Sequence, residues 1–320
     1  NSLWNSKRPV REELFSTERL EEHAVSLAKE QKITSASSSV LPLQSRLKQN
    51  AEVLLEAYNA SAKELENGKG VVPAAEWLLD NYHLVEQQTR EVKDDLPSGY
   101  YHQLPKLASG PFIGYPRVFG LAWAYVAHTD SYFDAGNLLR FVKAYQSITP
   151  LSIGELWALA ITLRIVLIEN LRRLVDQIAV GRLARDDADQ LTDNLLVSGQ
   201  AQTVLLKDIQ TRSCEPLSEI FAAQLAKRLR DQDPRTTPAL EWLEQRLASQ
   251  GLSVEDVVLR SQLSEGASNV SVRNVINSMR WISDIDWTEQ FEQVSLVDIT
   301  LRASSDFASM DFRTRNAYRD

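Results

Sequence analysis

Four polar side chains on one stretch of the chain have the spacing of metal ligands on a helix. Glu76, Asp80, His83 and Gln87 are separated by four, three and four residues, so a helix would place them on one face. Carboxylate and imidazole groups bind metal ions when further ligands converge on them. The helix face that carries these four residues lies opposite the apolar stripe of the same predicted helix. We therefore favour a solvated helix face and predict no metal site.

His102 and His128 are the candidates for such converging ligands, since three of the four histidines lie between residues 83 and 128. No two of them have a ligand-pair spacing such as H-x-x-x-H. His128 stands at a helix end, where an imidazolium interacts favourably with the helix dipole. We predict a capping role for His128, and a metal-dependent hydrolase built on these groups is the minor alternative.

Patterns for sugar-nucleotide or nucleophilic chemistry are weak. The Asp-x-Asp matches, Asp231/Asp233 and Asp284/Asp286, could hold a divalent ion against a diphosphate, but neither follows an apolar strand. Cys214 has no histidine close in sequence. There is no G-x-S-x-G, P-loop or G-x-G-x-x-G motif. We predict no catalytic residue in this chain.

The pentapeptide "NSMRW" (277–281) is close to Q-x-x-R-W, an acceptor-binding pattern of processive glycosyltransferases. Asn277 stands where that pattern has glutamine, and no nucleotide-binding fold precedes it. We predict an ordinary helix end here, with Trp281 buried.

Arg164 lies inside the apolar run 156–168. A charge in such surroundings costs several kcal/mol unless it is paired. Glu155, Glu169 or an acid of the helix at 73–93 are the candidate partners. We predict a structural ion pair that involves Arg164 and Glu169.

The stretch "YYHQLPKLASGPFIGYPRVFG" (100–120) has five aromatic residues, three prolines and three glycines in 21 positions. Prolines before helices and glycines in tight turns are typical of a connection between helices. We interpret it as a packed joint against the helices at 73–93 and 152–181. Burial of Tyr100, Tyr101, Tyr115 and Phe119 is the expected result.

The alternative is that the same stretch forms a surface for a sugar or a partner protein. Aromatic faces suit the apolar face of a glucose unit. The candidate residues for such a surface are Tyr100, Tyr101, His102, Tyr115 and Arg117.

Composition sets further limits on the class of protein. With 43% hydrophobic and 24% charged residues, the 320-residue chain is typical of a soluble globular protein. A net charge of −8 disfavours nucleic-acid binding, which depends on phosphate neutralisation. A single cysteine excludes an internal disulfide. The chain begins without methionine, and we interpret it as a piece of a longer protein.

Helical periodicity dominates the chain, and no period-two strands are evident. The fold class is therefore all-α: a multi-helix bundle with a long buried central helix at about 152–181 and a second helical unit. Ser152 and Glu155 form a capping box at the start of that helix, and Gly181 is its predicted end. The expected divisions are an N-terminal helix and Ser-rich linker (1–40), a main core (41–183) and a second unit (184–320). Further helices are predicted at 43–65, 73–93, 116–129 and 136–148.

Four long segments carry a resemblance to a known family. They are "REELFSTERLEEHAVSLA" (11–28), residues 75–134, "TPLSIGELWALAITLRIVLIENLRRL" (149–174) and "MDFRTRNAYR" (310–319). Each resembles the region of bacterial cyclic β-1,2-glucan synthases that precedes the first membrane span. The resemblance covers most of the chain and is least clear over 184–265.

The resemblance implies a part of a large inner-membrane enzyme on its cytoplasmic side. Family members transfer glucose from UDP-glucose with Mg²⁺ or Mn²⁺, and their metal-binding aspartates lie downstream of this region. We therefore expect no cofactor in this segment, and expect its partners to be the transferase and membrane helices of the same polypeptide, with self-association as a further possibility. The leading hypothesis is a non-catalytic scaffold or regulatory domain, and the alternative is a sugar- or partner-binding module.

Overall fold

The computed structural model describes residues 2–35, 40–68, 70–95, 100–197, 217–230 and 237–319. Its architecture is all-α, as predicted. The helices are α1 (Ser2–Asn5), α2 (Thr17–Glu30), α3 (Leu43–Glu66), α4 (Pro73–Asp95), α5 (Tyr100–Gln103), α6 (Arg117–His128), α7 (Ala135–Gln146), α8 (Ile153–Val197), α9 (Glu219–Arg230), α10 (Thr237–Ala248), α11 (Val254–Asp284), α12 (Trp287–Val294), α13 (Leu296–Ser304) and α14 (Phe312–Ala317). A 3₁₀ turn, Asp306–Ser309, precedes α14.

The chain divides into two compact units. The first contains residues 1–174 and 271–320, and the second contains residues 175–270. The long helix α11 begins in the second unit and ends in the first, so residues 271–320 belong to the first unit. The sequence prediction assigns all residues after 184 to the second unit, because no sequence pattern indicates that the chain returns to the first. The Ser-rich linker lies mostly outside the described residues.

The central helix α8 begins where the capping box predicts. The Glu155 carboxylate accepts hydrogen bonds from the Ser152 backbone N–H (2.8 Å) and hydroxyl (3.0 Å), and the Ser152 hydroxyl accepts one from the Glu155 N–H (3.3 Å). The first half of α8 is buried on all sides, as its apolar sequence predicts. Its innermost apolar residues include Leu163, Ile165, Val166, Leu167, Ile168 and Leu171.

The predicted end of α8 at Gly181 is wrong, since the helix continues to Val197. Gly181 is buried, and a Cβ there would lie 3.1 Å from Ile220 Cδ1 of the facing helix α9. The glycine therefore permits close helix packing within the second unit rather than a left-handed cap.

The other main helices of the first unit confirm the helices that the apolar periodicity predicts. Predicted helices at 43–65 and 73–93 correspond to α3 and α4, and those at 116–129 and 136–148 correspond to α6 and α7. Gly68, just past α3, has φ +71°, the left-handed conformation that is common at helix ends.

The described residues also contain one short antiparallel pair, β1 (Ile33–Thr34) with β2 (Lys106–Leu107). Two-residue strands are too short to show an alternating pattern, so no sequence pattern predicts them. The pair ties the segment after α2 to the aromatic stretch.

The second unit has its own apolar core. α9, α10 and the adjoining parts of α8 and α11 bury Phe221, Leu225, Leu243, Leu247 and Val257. Exposed ion pairs such as Arg185–Glu265 (2.7 Å) join these helices at the surface.

Within the described part of the chain, no helix combines the length and apolar character that crossing a membrane demands.

Candidate functional site

The aromatic stretch 100–120 is folded into the first unit. Tyr115 is 4% exposed and Phe119 is fully buried, as the packed-joint interpretation predicts. The Tyr115 hydroxyl accepts a hydrogen bond from Trp4 Nε1 (2.6 Å) and donates one to the Leu41 carbonyl (3.0 Å). The Trp4 ring packs edge-on against Tyr115, with centroids 5.6 Å apart. Tyr115 therefore works as a packing residue.

Tyr100 and Tyr101 are half-buried, and their hydroxyls bond to α8. Tyr100 donates to the Gly154 carbonyl (2.6 Å), and Tyr101 shares a 2.5 Å hydrogen bond with the Thr162 hydroxyl. Burial raises the pKa of both phenols above the usual value. The side chain of His102 lies outside the described residues.

Arg117 is 2% exposed and forms an ion pair with the fully buried Glu155. Arg117 Nε and Nη2 donate to the two carboxylate oxygens at 2.8 and 2.6 Å, and Nη2 also donates to the Pro150 carbonyl. Burial alone would lower the pKa of Arg117, but the hydrogen bonds and charge of Glu155 outweigh it and raise this pKa. One carboxylate thus caps α8 and neutralises Arg117. Arg117 and Tyr115 are both buried, so neither side chain is accessible to the ligand that the alternative interpretation proposes.

Gly120 marks the closest packing in the joint. A Cβ on Gly120 would lie 3.0 Å from Leu107 Cδ1 and 3.1 Å from Gln31 Nε2. Leu107 is itself buried, and the Gln31 amide oxygen accepts a hydrogen bond from Tyr145. Neither neighbour can move without losing contacts of its own.

We expect Gly120→Ala to lower the free energy of unfolding by about 1–2 kcal/mol, because overpacking exceeds the gain in helix propensity. Thermal unfolding followed by circular dichroism measures the change. Gly70→Ala is the matched control, since nothing lies within 4 Å of a Cβ at that position. A Gly120→Ala variant as stable as the wild type would contradict this prediction, because it would show that the joint accommodates the added methyl group without strain.

A buried charge network links α3 to α8. The Glu169 carboxylate accepts hydrogen bonds from Arg46 at 2.8 and 2.9 Å, from Arg173 at 2.7 Å and from Asn50 at 2.9 Å. Glu169 is 1% exposed, Arg46 7% and Arg173 2%. Burial by itself would raise the pKa of Glu169, but the two arginines outweigh it and hold this pKa below its usual range.

Arg164 and Glu169 are each in an ion pair, but with different partners. Arg164 Nε donates to the Gln88 side-chain oxygen (3.0 Å), and its Nη2 lies 3.7 Å from the Glu91 carboxylate. An acid on α4 was one of the candidate partners. Arg164 therefore ties α8 to α4, while Glu169 ties α8 to α3.

Sequence reasoning did not identify Arg46 or Asn50 as partners of Glu169. A signal was present, because both occupy positions on the apolar stripe of α3, three and seven residues after Leu43. A polar residue in a core-facing register needs a buried partner. The partner lies 123 residues away from Arg46 in sequence, so no local pattern identifies it.

The segment 310–319 ends in a third buried network. Arg319 donates to Asp298 at 2.5 and 3.0 Å and to Glu292 at 2.8 Å. Its guanidinium also lies 5.2 to 5.8 Å from three aromatic ring centroids, those of Phe291, Phe307 and Phe312. These contacts pack the end of the described chain against α12 and α13.

Glu76, Asp80, His83 and Gln87 are all exposed on α4, as a solvated face requires. In the described part of the chain, no three His, Cys, Asp or Glu side chains come together in an arrangement that could hold a metal ion.

His128 ends α6, and its ring packs between other groups rather than pointing to solvent. Its Nδ1 lies 2.8 Å from the Glu13 carbonyl, and its ring stacks on Phe15 with centroids 3.9 Å apart. The His23 ring lies 4.6 Å away, a neighbour that the sequence did not suggest. Burial, together with the charge of His128, lowers the pKa of His23. His128, Phe15 and His23 thus form a contact between α6 and the N-terminal segment.

Asp286 of the second Asp-x-Asp match and the "NSMRW" segment have structural roles. Asp286 caps α12 by accepting hydrogen bonds from the N–H groups of Thr288 and Glu289. Asp231, Asp233 and Cys214 lie outside the described residues. "NSMRW" lies in the last turns of α11, as predicted, but the predicted burial of Trp281 is wrong: it is 37% exposed and contacts Tyr132.

Comparison with known proteins agrees with the family resemblance in the sequence. No family model matches the chain. Over 316 residues the chain is 39% identical to the cyclic β-(1,2)-glucan synthase NdvB of Rhizobium meliloti (strain 1021). The match takes in 97% of this chain and 11% of that protein, so the chain spans about a ninth of its relative's length. The chain is therefore a homologue of one segment of a cyclic β-(1,2)-glucan synthase.

Proposed function

We propose that the chain is a non-catalytic helical scaffold of a cyclic β-1,2-glucan synthase. It supports glucosyl transfer from UDP-glucose that other parts of the polypeptide carry out with Mg²⁺ or Mn²⁺. Its partners are the transferase and membrane-spanning parts of the same protein, with self-association as a further contact. The proposed location is the cytoplasmic side of the bacterial inner membrane. Similarity to NdvB over 97% of the chain supports this assignment.

One observation carries the non-catalytic role. The buried carboxylates of the described residues, Asp130, Glu155, Glu169 and Asp298, are each ion-paired with an arginine. A catalytic acid or base must reach the substrate within hydrogen-bonding distance. These carboxylates are engaged inside the fold instead, where they join separate segments of the first unit.

Ligand binding through residues 100–120 is the alternative role. It requires accessible aromatic faces and a free guanidinium. The burial of Tyr115 and Arg117 removes two of the five candidate residues from that surface. The scaffold role is therefore favoured over binding at this stretch.

Titration calorimetry and thermal unfolding with UDP-glucose and Mg²⁺ test this proposal. A scaffold without a donor site gives no binding heat and an unchanged Tm. Saturable heat together with a rise in Tm would indicate a donor site in this chain and would contradict the proposal.

A further inference from the structure

An exposed aromatic pair lies on the first unit, at positions outside the stretch 100–120. Tyr132 is 47% exposed and Trp281 is 37% exposed. Their rings meet edge to face, with centroids 5.3 Å apart and planes at 76°. In an edge-to-face pair, one ring presents its edge to the other ring. The partner therefore covers neither face of that first ring. Two large aromatic side chains in contact at the surface are a feature that core packing does not require.

The loop that carries Tyr132 is held in a strained conformation. Asp130 and Ser131 precede it with φ of 49° and 61°, the left-handed region that residues with a side chain rarely adopt. Both are buried, at 4% and 1% exposure. Strain of this kind persists only where the surroundings enforce it, and it is concentrated at functional positions.

Hydrogen bonds from α11 enforce this conformation. The Ser271 hydroxyl donates to the Asp130 carboxylate (2.6 Å), and the Asn274 amide donates to the Asp130 carbonyl (3.0 Å). The Ser278 hydroxyl donates to the Ser131 carbonyl (2.7 Å) and accepts from the Phe133 N–H (2.8 Å). Tyr132 is thereby fixed between two buried neighbours with its side chain outward, and the helix that fixes it also carries Trp281.

Polar groups flank the pair on α11. Asn277 and Asp284 lie four residues before and three residues after Trp281, so they share its helix face. Asn277 is half-buried and Asp284 is exposed. Amide and carboxylate groups beside an aromatic face are the combination that binds a sugar ring, since the hydroxyls bond to the polar groups and the C–H face packs on the ring.

We infer that Tyr132 and Trp281 form a binding platform for a β-linked glucan chain. This inference rests on the proposed function, because the similarity to a cyclic β-(1,2)-glucan synthase indicates that the polymer is a β-1,2-glucan. The platform stacks glucose units on pre-positioned rings, so binding orders few side chains. The scaffold would in this way hold a growing or completed glucan without acting on it.

The test is titration of the 320-residue chain with linear β-1,2-linked gluco-oligosaccharides, followed by calorimetry. We expect saturable binding, weakened about tenfold or more by Trp281→Ala and by Tyr132→Ala, and kept by Tyr132→Phe, which retains the ring. Tyr318→Ala is the matched control, since Tyr318 is 63% exposed and distant in sequence from both residues. Thermal unfolding of each variant verifies the fold.

Absence of binding to the wild-type chain would overturn the inference, and so would unchanged binding after both alanine substitutions or equal weakening by Tyr318→Ala. A change in oligomeric state on Trp281→Ala without glucan binding would also overturn it, in favour of a protein contact. These results differ from failure of the proposed function, which would be shown by a donor site or by turnover of UDP-glucose.

Discussion

Glu169→Ala is expected to lower the free energy of unfolding by about 3–5 kcal/mol, because it leaves two buried arginines facing each other without their anion. Arg46 and Arg173 both donate to this carboxylate and are almost fully buried. Urea denaturation followed by tryptophan fluorescence measures the loss. The signal reports mainly on the first unit, since of the seven tryptophans Trp242 alone lies in the second.

The control for this substitution is Glu86→Ala, in an exposed ion pair with Arg90 on α4. Exposed pairs of this kind contribute little, so its stability should stay near that of the wild type. Replacing Glu169, Arg46 and Arg173 together by apolar residues of similar volume should recover most of the lost stability. A Glu169→Ala variant that loses less than about 1 kcal/mol would contradict the view that the network is buried and fully paired.

The same network predicts a dependence on pH. The pKa of Glu169 is lower in the folded protein than its ordinary value, so its contribution is complete above about pH 4.3. As pH falls through the folded pKa, Glu169 becomes protonated and this contribution is lost. Stability measured from pH 6 down to acid should therefore fall less steeply in Glu169→Gln than in the wild type, because the variant has no carboxylate to protonate at this position.

Glu155→Ala is expected to have an effect of similar size, about 3–5 kcal/mol. The substitution removes the counter-ion of the buried Arg117 and the acceptor for the Ser152 N–H at the start of α8. Both losses act where the aromatic joint meets the central helix. Urea denaturation measures the change.

Glu155→Gln separates the two contributions, because the amide oxygen still accepts a hydrogen bond while the charge is gone. It should lie between the wild type and Glu155→Ala. Glu52→Ala, on the exposed side of α3, is the control and should be close to wild type. If Glu155→Gln and Glu155→Ala lose no stability, the Arg117–Glu155 pair does not support the joint.

The parts of this fold that depend on local sequence were predictable. The apolar stripe of α3 and the capping box of α8 each depend on neighbours within a few residues. Gly181 shows the limit of this reasoning. The same residue type serves as a helix stop or as a close-contact position, and the choice depends on Ile220 in another helix.

The charge networks and the aromatic pair depend on contacts between distant segments. The sequence showed that Arg164 needs a partner, but not that the partner lies on α4. It also placed Trp281 at a helix end without showing which face meets the core. Tyr132 reaches it because a strained loop turns outward, and that strain is enforced by α11 and cannot be seen in the loop sequence.

The proposed function makes one central claim, that this chain supports glucan synthesis by the longer protein and does not perform it. The most direct measurement is incubation of the purified chain with radiolabelled UDP-glucose and Mg²⁺ or Mn²⁺, beside membranes that contain NdvB as the positive control. The scaffold account predicts no labelled glucan and no glucosylated chain above the protein-free blank. Labelled β-1,2-glucan, or label attached to the chain itself, would contradict it.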